Sequence, residues 1–505
     1  MKIPSLHHFI FATFPVTFLF LENINEIPLD DLFLPLIIST SLLIIPWLIM
    51  VKFIGNEKSS LITSLFVILL ISFSFLRSYF IYNEIILLRG IASNYILIPL
   101  FTSIGIIIVI SIWKKNTPSS INQTFNLMGF LIIGFFIFQI ILDSSNENSF
   151  EIAQQLLDVP TYQINNEIKL PNVYFILLDA YSGEITLEQD YDYNNNEFYD
   201  KLTDRGFVVQ KNSMSNYPNT ELSMPSIMNM NYLDFLVDLQ GTNSNDMSVT
   251  QKLWNDNRVM DFFKKNSYEI YSFEGRSGNR ILVDENFCSL PFDINRELAQ
   301  EIITNYIPIS FIRENLRTEL HYVTVVCVLN TAENNWEKTT PYYVHLHVRF
   351  PHQPFIFDKD GNRIIDSTSL MARFDEKLKN SYLEQLIYSN SRTIQIIDTI
   401  QKEDPSTIII LMSDHGGRFG INWNDPSDLD YLRGFNNLLA VYFPGKENQI
   451  PQQISSVNVF RTFFNIYFNT DYAYLEDRQI WYSPSKPFLQ KDVTEKIQLY
   501  LSNQN

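Results

Sequence analysis

Four groups of residues in this chain have the types and placement to do chemistry. Asp179 follows the apolar run "VYFILL", and His345, His347 and His352 lie in or just after "YYVHLHV". Asp414 and His415 follow "TIIILM" and lead into two glycines, while "SNYPNTELSMPS", residues 215–226, carries four Ser or Thr hydroxyls. Two carboxylates and an imidazole are a reasonable donor set for Zn²⁺ or Mn²⁺, and a hydroxyl from the Ser/Thr-rich stretch would complete it. A hydroxyl so held becomes a usable nucleophile. Each residue also has an ordinary use. Asp after a strand caps a helix, a lone His on a strand is packed, and Asn, Pro and Ser together make a loop. Asp-His-Gly-Gly is the most specific of the four, because glycine there permits close backbone approach to a ligand.

The elements that must position these residues read as an α/β domain with a mainly parallel sheet. Short apolar runs occur at 173–178, 268–273, 342–348, 407–412 and 438–443, with a helical stretch at 376–402. Near-continuous apolar strands separated by helices imply a sheet covered on both faces. Ligands then bind beyond the carboxyl ends of the strands, which is where Asp179, the His group and Asp414-His415 fall. The acidic, aromatic run 190–200 reads as a solvated loop or helix start, and there is no internal repeat.

At 505 residues the chain is long enough for more than one domain, and its net charge of −18 argues against a nucleic-acid partner. Apolar residues make up 46% of the chain, so polar and apolar material must be segregated. Five apolar segments, 8–21, 32–54, 60–76, 93–113 and 125–142, predict a transmembrane region over 1–143. The first lacks a small-residue cleavage site and is followed by four more, so it reads as an uncleaved anchor. Lys2, Lys52, Lys58, Lys114 and Lys115 gather on one side, against Arg77 and Arg89 on the other. That bias places everything after residue 143 outside the cytoplasm. No charged residue interrupts a span, so the helices read as an anchor. A juxtamembrane linker is expected over 144–170, a catalytic domain over 171–490 and a tail over 491–505. Cys288 and Cys327 form either one bridge or two unpaired thiols.

"NVYFILLDAYS", "NTELSMPS", "HVRFPHQPF" and "LMSDHGGRFG", in that order, resemble the motifs of the alkaline phosphatase and sulfatase superfamily. With the spans before them, they are similar to the membrane-anchored phosphoethanolamine transferases and lipoteichoic acid synthases. The resemblance implies a sulfatase-like domain in which Thr220 is the nucleophile and Asp179, Thr220, Asp414 and His415 hold one divalent ion, Mn or Zn. It places His352 beside the substrate, where it protonates the leaving alcohol or hydrogen-bonds the phosphoryl group. Three departures stand out. The transferases usually carry Glu at the position of Asp179. No C/S-x-P-x-R motif is present for sulfatase-type formylglycine, and no His follows His415. Acceptor binding would then fall to His345, His347, Arg418 or Arg433. Ser223 and Ser226 are the rival hydroxyls. The function implied is transfer of a phospho-alcohol head group from a membrane lipid donor to a surface glycan or lipid acceptor, at a bacterial-type inner membrane with the domain periplasmic or extracellular. An ester hydrolase acting on surface polymers and a non-catalytic anchored protein are the alternatives.

Overall fold

The structure is a computed structural model and describes residues 4–22, 30–82, 91–114, 119–143, 147–157, 159–160, 170–273, 285–286, 288, 310–334, 336–364 and 376–503. It falls into two compact units, Met1–Glu147 with Leu290–Glu319, and Asn148–Ser289 with Leu320–Asn505. Lys2, Arg89, Lys115 and residues 161–169 of the expected linker lie outside the described residues.

In the first unit, α1 (His7–Glu22), α2 (Asp30–Ile54), α3 (Asn56–Tyr82), α4 (Ile91–Lys114) and α5 (Ser119–Asp143) follow the five apolar segments. Among the described residues, four stretches are long and apolar enough to cross a membrane: Pro35–Ile54, Asn56–Leu76, Ile96–Lys114 and Ser120–Phe138. The chain is in this sense membrane-anchored. The 16 residues of α1 reach only about 24 Å, short of the roughly 30 Å hydrocarbon core. The expected five spans therefore become four plus one shorter apolar helix. A polar seam that hydropathy alone does not reveal ties α1 to its neighbours. His7 Nδ1 meets Ser64 Oγ at 2.6 Å and Nε2 meets Asn122 Oδ1 at 2.9 Å. Asn126 Oδ1 accepts the Leu6 and His7 amides at 2.9 and 3.0 Å. Such side chains hold helices together where no hydrophobic force between them operates.

The second unit is built on a seven-stranded sheet of order β2-β7-β6-β1-β5-β3-β4. Its strands are β1 (Val173–Leu178), β2 (Val208–Val209), β3 (Glu269–Ser272), β4 (Glu285–Asn286), β5 (Tyr342–Val348), β6 (Ile408–Met412) and β7 (Leu439–Tyr442). β6, β1, β5, β3 and β4 run parallel, and β7 and β2 add an antiparallel edge. The central strands are apolar on both sides because both faces are covered. Tyr174, Ile176, Val344 and Leu346 enter one core with Leu386 and Ile397, whereas Phe175, Tyr343 and Ile410 enter the other with Phe263 and Phe460. The long helix Glu376–Glu403 matches its expected place.

Two readings change and one alternative is resolved. Residues 190–200 do contain a helix start, at Asn196–Thr203, but they are not simply solvated: Tyr191, Phe198 and Tyr199 are buried in the core. The expected tail is folded. A hairpin of β8 (Ile480–Ser483) and β9 (Lys486–Asp492) leads into the helix Thr494–Ser502, and Val493 and Ile497 pack with Trp481 and Phe435. Cys288 and Cys327 are joined in a disulfide, with Cα atoms 5.6 Å apart.

Candidate active site

The three central strands set the site. In their register Leu177 lies opposite both His347 and Met412, so Asp179 and Asp414 leave neighbouring strands at the same level. The Asp179 amide donates to Val348 O at 3.0 Å, and Asp179 O accepts the His352 amide at 3.1 Å, which pins the loop after β5 against the end of β1. The chain then turns sharply. Ala180 takes φ 61°, a left-handed conformation unusual for a residue with a Cβ, and its amide donates to Asp414 Oδ1 at 3.3 Å.

Thr220 is the first residue of the helix Thr220–Asn229, and this helix brings its hydroxyl to the strand ends. Its Oγ1 donates to Asp414 Oδ2 at 2.7 Å and lies 3.1 Å from His415 Nε2. The His415 tautomer follows from its other nitrogen: Nδ1 is 2.7 Å from Gly416 O, which can only accept, so Nδ1 carries the proton. The Nε2 lone pair therefore faces Asp414 Oδ2 at 3.2 Å and Asp179 Oδ1 at 3.7 Å. Asp179 Oδ1 is buried and accepts no hydrogen bond from the described residues. Two carboxylates and a nitrogen lone pair thus converge with one hydroxyl proton among them, and the donor atoms of Asp179, Asp414 and His415 lie within 4.8 Å of one another. An acceptor cluster so poor in protons fits a divalent cation.

The protonation states agree with that need. Burial, and then the charge of Asp179, push the Asp414 carboxyl up to about 6. Burial also pushes Asp179 upward, but His352, His347 and His415 around it more than offset this and hold it well below the carboxylate range. Burial, reinforced by Arg418, lowers His415 to about 3. Burial lowers His352 to about 4, with Arg418 and Arg349 adding to the effect against Asp179. At neutral pH Asp179 and Asp414 are carboxylates, and the His352 and His415 imidazoles are uncharged.

The predicted residues do not all arrive. Asp179, Thr220, Asp414 and His415 come together, with His347 Nε2 3.7 Å from Asp179 Oδ2. His352 and Arg418 adjoin them: His352 Nε2 is 3.4 Å from Arg418 Nη2, and Arg418 Nη1 donates to Asn219 Oδ1. His352 Nδ1 gives its proton to Gln353 O at 2.5 Å, so Nε2 is a proton acceptor and not the acid expected of it. His345 does not reach the site. It lies two residues back along β5, opposite Phe175 and edge-on to that ring at 5.2 Å, deep in the sheet. Arg433 is committed elsewhere, bound to both oxygens of the buried Asp190 at 2.8 and 2.9 Å and to Asp430 at 3.2 Å. The rival hydroxyls are spent on structure, Ser223 on Asp414 O at 2.6 Å and Ser226 on Asn231 O at 2.8 Å. The glycines serve packing, not a ligand: a Cβ on Gly416 would meet Arg433 O at 2.3 Å, and one on Gly417 would meet Ser182 Oγ at 2.5 Å. Pro225 falls in the second turn of its helix, so the Glu221 carbonyl receives no N–H from it. Sequence reading missed Ser413, whose hydroxyl accepts the Tyr181 amide at 2.9 Å and donates to His415 O at 2.6 Å. It missed Asn219 as well. Their adjacency to Asp414 and Thr220 was the available signal.

Residues 171–467 match the Sulfatase family. The chain belongs to that family. The protein is an enzyme of the sulfatase superfamily. Among solved structures it is similar to the C-terminal periplasmic domain of EptC from Escherichia coli, at 12% identity and TM-score 0.42 over 66% of this chain and 97% of that one. It is also similar to the periplasmic domain of the phosphoethanolamine transferase EptC from Campylobacter jejuni, at 15% identity and TM-score 0.37 over 65% and 99% of the two chains. A third is the sulfatase-type protein yidJ from Bacteroides fragilis, at 14% identity and TM-score 0.38 over 64% and 83%. No curated protein sequence matches the chain.

Proposed function

We propose that this protein transfers a phospho-alcohol head group, of the phosphoethanolamine or phosphoglycerol type, from a membrane phospholipid to a surface glycan or lipid by way of a covalent adduct on Thr220. The observation that carries this reading is the Thr220 hydroxyl, 2.7 Å from Asp414 and 3.1 Å from His415 at the start of a helix, in a membrane-anchored chain. The absence of a C/S-x-P-x-R motif removes the precursor of sulfatase-type formylglycine and favours a threonine route. A divalent ion, Mn²⁺ or Zn²⁺ by its donors Asp179, Thr220, Asp414 and His415, would neutralise phosphate charge and make the hydroxyl more acidic.

The protein's own groups supply the rest. Asp414 accepts the Thr220 proton and leaves an Oγ1 lone pair free to attack phosphorus in line. As the Oγ1–P bond forms, the bond from phosphorus to the glycerol oxygen breaks. The threonine proton ends on that oxygen, releasing diacylglycerol. Arg418 and the first amides of the Thr220 helix offer donors to the non-bridging oxygens. In the second half, His352 Nε2 takes the proton of the acceptor hydroxyl. The acceptor oxygen attacks phosphorus, the Oγ1–P bond breaks, and the proton returns to Thr220.

Catalysis on the outer face of a bacterial-type inner membrane suits the lysines at one side of the spans, Lys52, Lys58 and Lys114. It also suits the Cys288–Cys327 disulfide, which calls for an oxidising compartment. The test is the full-length protein in vesicles of head-group-labelled phospholipid with Mn²⁺ or Zn²⁺. Diacylglycerol should appear one for one with label lost from lipid. Turnover of an aryl sulfate or aryl phosphate without diacylglycerol would replace the transferase with the hydrolase.

A further inference from the structure

An asparagine at a helix N-cap ordinarily turns its side-chain oxygen onto the amides of the first turn. Asn219 is the N-cap of the Thr220 helix and makes no such bond. Its Oδ1 accepts from Arg418 Nη1 instead, and its Nδ2 is buried. The side chain is only 2% exposed, so this is not a surface rotamer. Arg418 itself sits at φ 59°, a left-handed conformation that non-glycine residues avoid unless their surroundings impose it. What imposes it is visible at both ends: the Arg418 amide donates to Arg433 O at 3.2 Å, and the guanidinium lies between Asn219 and His352.

A second buried group backs this arrangement from a different part of the chain. The hairpin β8–β9 lies beyond residues 171–467 that match the family. It clamps the loop leading to Thr220: the Ile480 amide donates to Asn216 O at 2.9 Å, and Asn216 Nδ2 donates to Arg478 O at 2.8 Å. It also delivers Tyr482, whose ring meets Tyr217 edge-on at 6.5 Å. The Tyr482 hydroxyl is buried beside the Asn219 side chain, its hydrogen-bonding neighbour, and Glu221 and Arg418 act on it through their charges. Burial keeps that phenol protonated, hence a donor. Beside the cation-seeking cluster of acceptors there is thus a group of donors, Arg418, Asn219 Nδ2 and Tyr482 Oη, with Asn219 bridging the other two.

We propose that Asn219 and Tyr482 are positioning residues: together they hold the Arg418 guanidinium beside the Thr220 hydroxyl as the anion-binding arm of the site, and Asn219 leaves the helix amides uncapped for the same oxyanion. This rests on the Thr220 site taking a tetrahedral oxyanion, which transfer and hydrolysis share. The hairpin thereby becomes part of the active site, though it lies outside the family's matched region.

Orthophosphate binding to the metal-loaded full-length chain in detergent, followed by titration calorimetry, tests this. Arg418→Ala and Asn219→Ala should each weaken phosphate about tenfold, the worth of a charge-assisted hydrogen bond. The double variant should bind no more weakly than Arg418→Ala alone, because Asn219 acts through the arginine. Tyr482→Phe should cost about threefold, and only in chains that keep Arg418, the size of a weak hydrogen bond. Metal stoichiometry should be the same throughout, which separates positioning from a damaged fold. Additive losses in the double variant, or a Tyr482→Phe effect that persists without Arg418, would overturn the proposal while leaving Thr220 its role. A wild type that binds no phosphate would overturn both.

Discussion

Removing one carboxylate from the metal-free site should make the protein more stable, not less. Asp414 is fully buried beside Asp179, and its folded pKa of about 6 lies above its ordinary 3.8. The native state therefore holds the extra proton. Stability from this group is complete below about pH 4 and is lost as pH rises through 6. The displacement is worth about 3 kcal/mol against folding at pH 8. Asp414→Asn abolishes that penalty and sacrifices the charge on the Thr220 hydrogen bond, worth about 1 kcal/mol. The net gain is about 1–2 kcal/mol, a rise in Tm of about 2–6 °C. Added metal should reverse the order: at about a thousandfold its dissociation constant it stabilises the wild type by about 4 kcal/mol, and the variant lacks a ligand for it. The assay is thermal melting of full-length wild type and Asp414→Asn in detergent, with chelator and then with Zn²⁺ or Mn²⁺, from pH 5 to 8. A chelated variant that melts at or below chelated wild type at pH 8, or a gap that fails to shrink toward pH 5, refutes the reasoning.

Arg433→Ala should act on stability and not on substrate affinity. It takes the two-point partner from the buried Asp190 carboxylate, which among the described residues keeps only Lys379 Nζ at 3.6 Å, at a cost of up to about 3–5 kcal/mol, read as a lowered melting midpoint with KM unchanged in the folded fraction. The Cys288→Ser, Cys327→Ser pair frees a loop of 39 residues, and chain entropy sets the loss at up to about 4 kcal/mol. Wild type should show the same loss on reduction and the double variant should not.

What could be read from the sequence followed from where strands end. β1 and β6 are unbroken apolar runs because helices cover both faces, so the polar residues that follow them, Asp179 and Ser413-Asp414-His415, had to lie at the carboxyl ends of the strands. The rest depended on register and on contacts between distant segments. His345 and His347 point to the same side of β5, and only pairing with β1 shows that His347 is opposite Leu177, two residues short of Asp179, while His345 is opposite Phe175. Arg433 had the charge for a phosphate, but its partner Asp190 lies 243 residues away in a run that reads as solvated. Asn219 and Arg418 are separated by 199 residues, and Tyr482 comes from a hairpin that carries no strand-end signal. The two glycines after His415 do permit close approach, but Gly416 approaches the Arg433 and Asn436 carbonyls and Gly417 the Ser182 hydroxyl. Four spans were legible as hydrophobic length; the His7–Asn122–Asn126 seam was not, since hydropathy averages such residues away.

The role of Thr220 is tested most directly by its mass. Full-length protein loaded with Mn²⁺ or Zn²⁺ is incubated with phospholipid and no acceptor, digested, and the peptide containing Thr220 is weighed. One phospho-alcohol group should appear on Thr220, with an equal quantity of diacylglycerol, and Thr220→Ala should show neither while melting within a few degrees of wild type. An adduct on Ser223 or Ser226, or diacylglycerol released with Thr220 unmodified throughout, would contradict it.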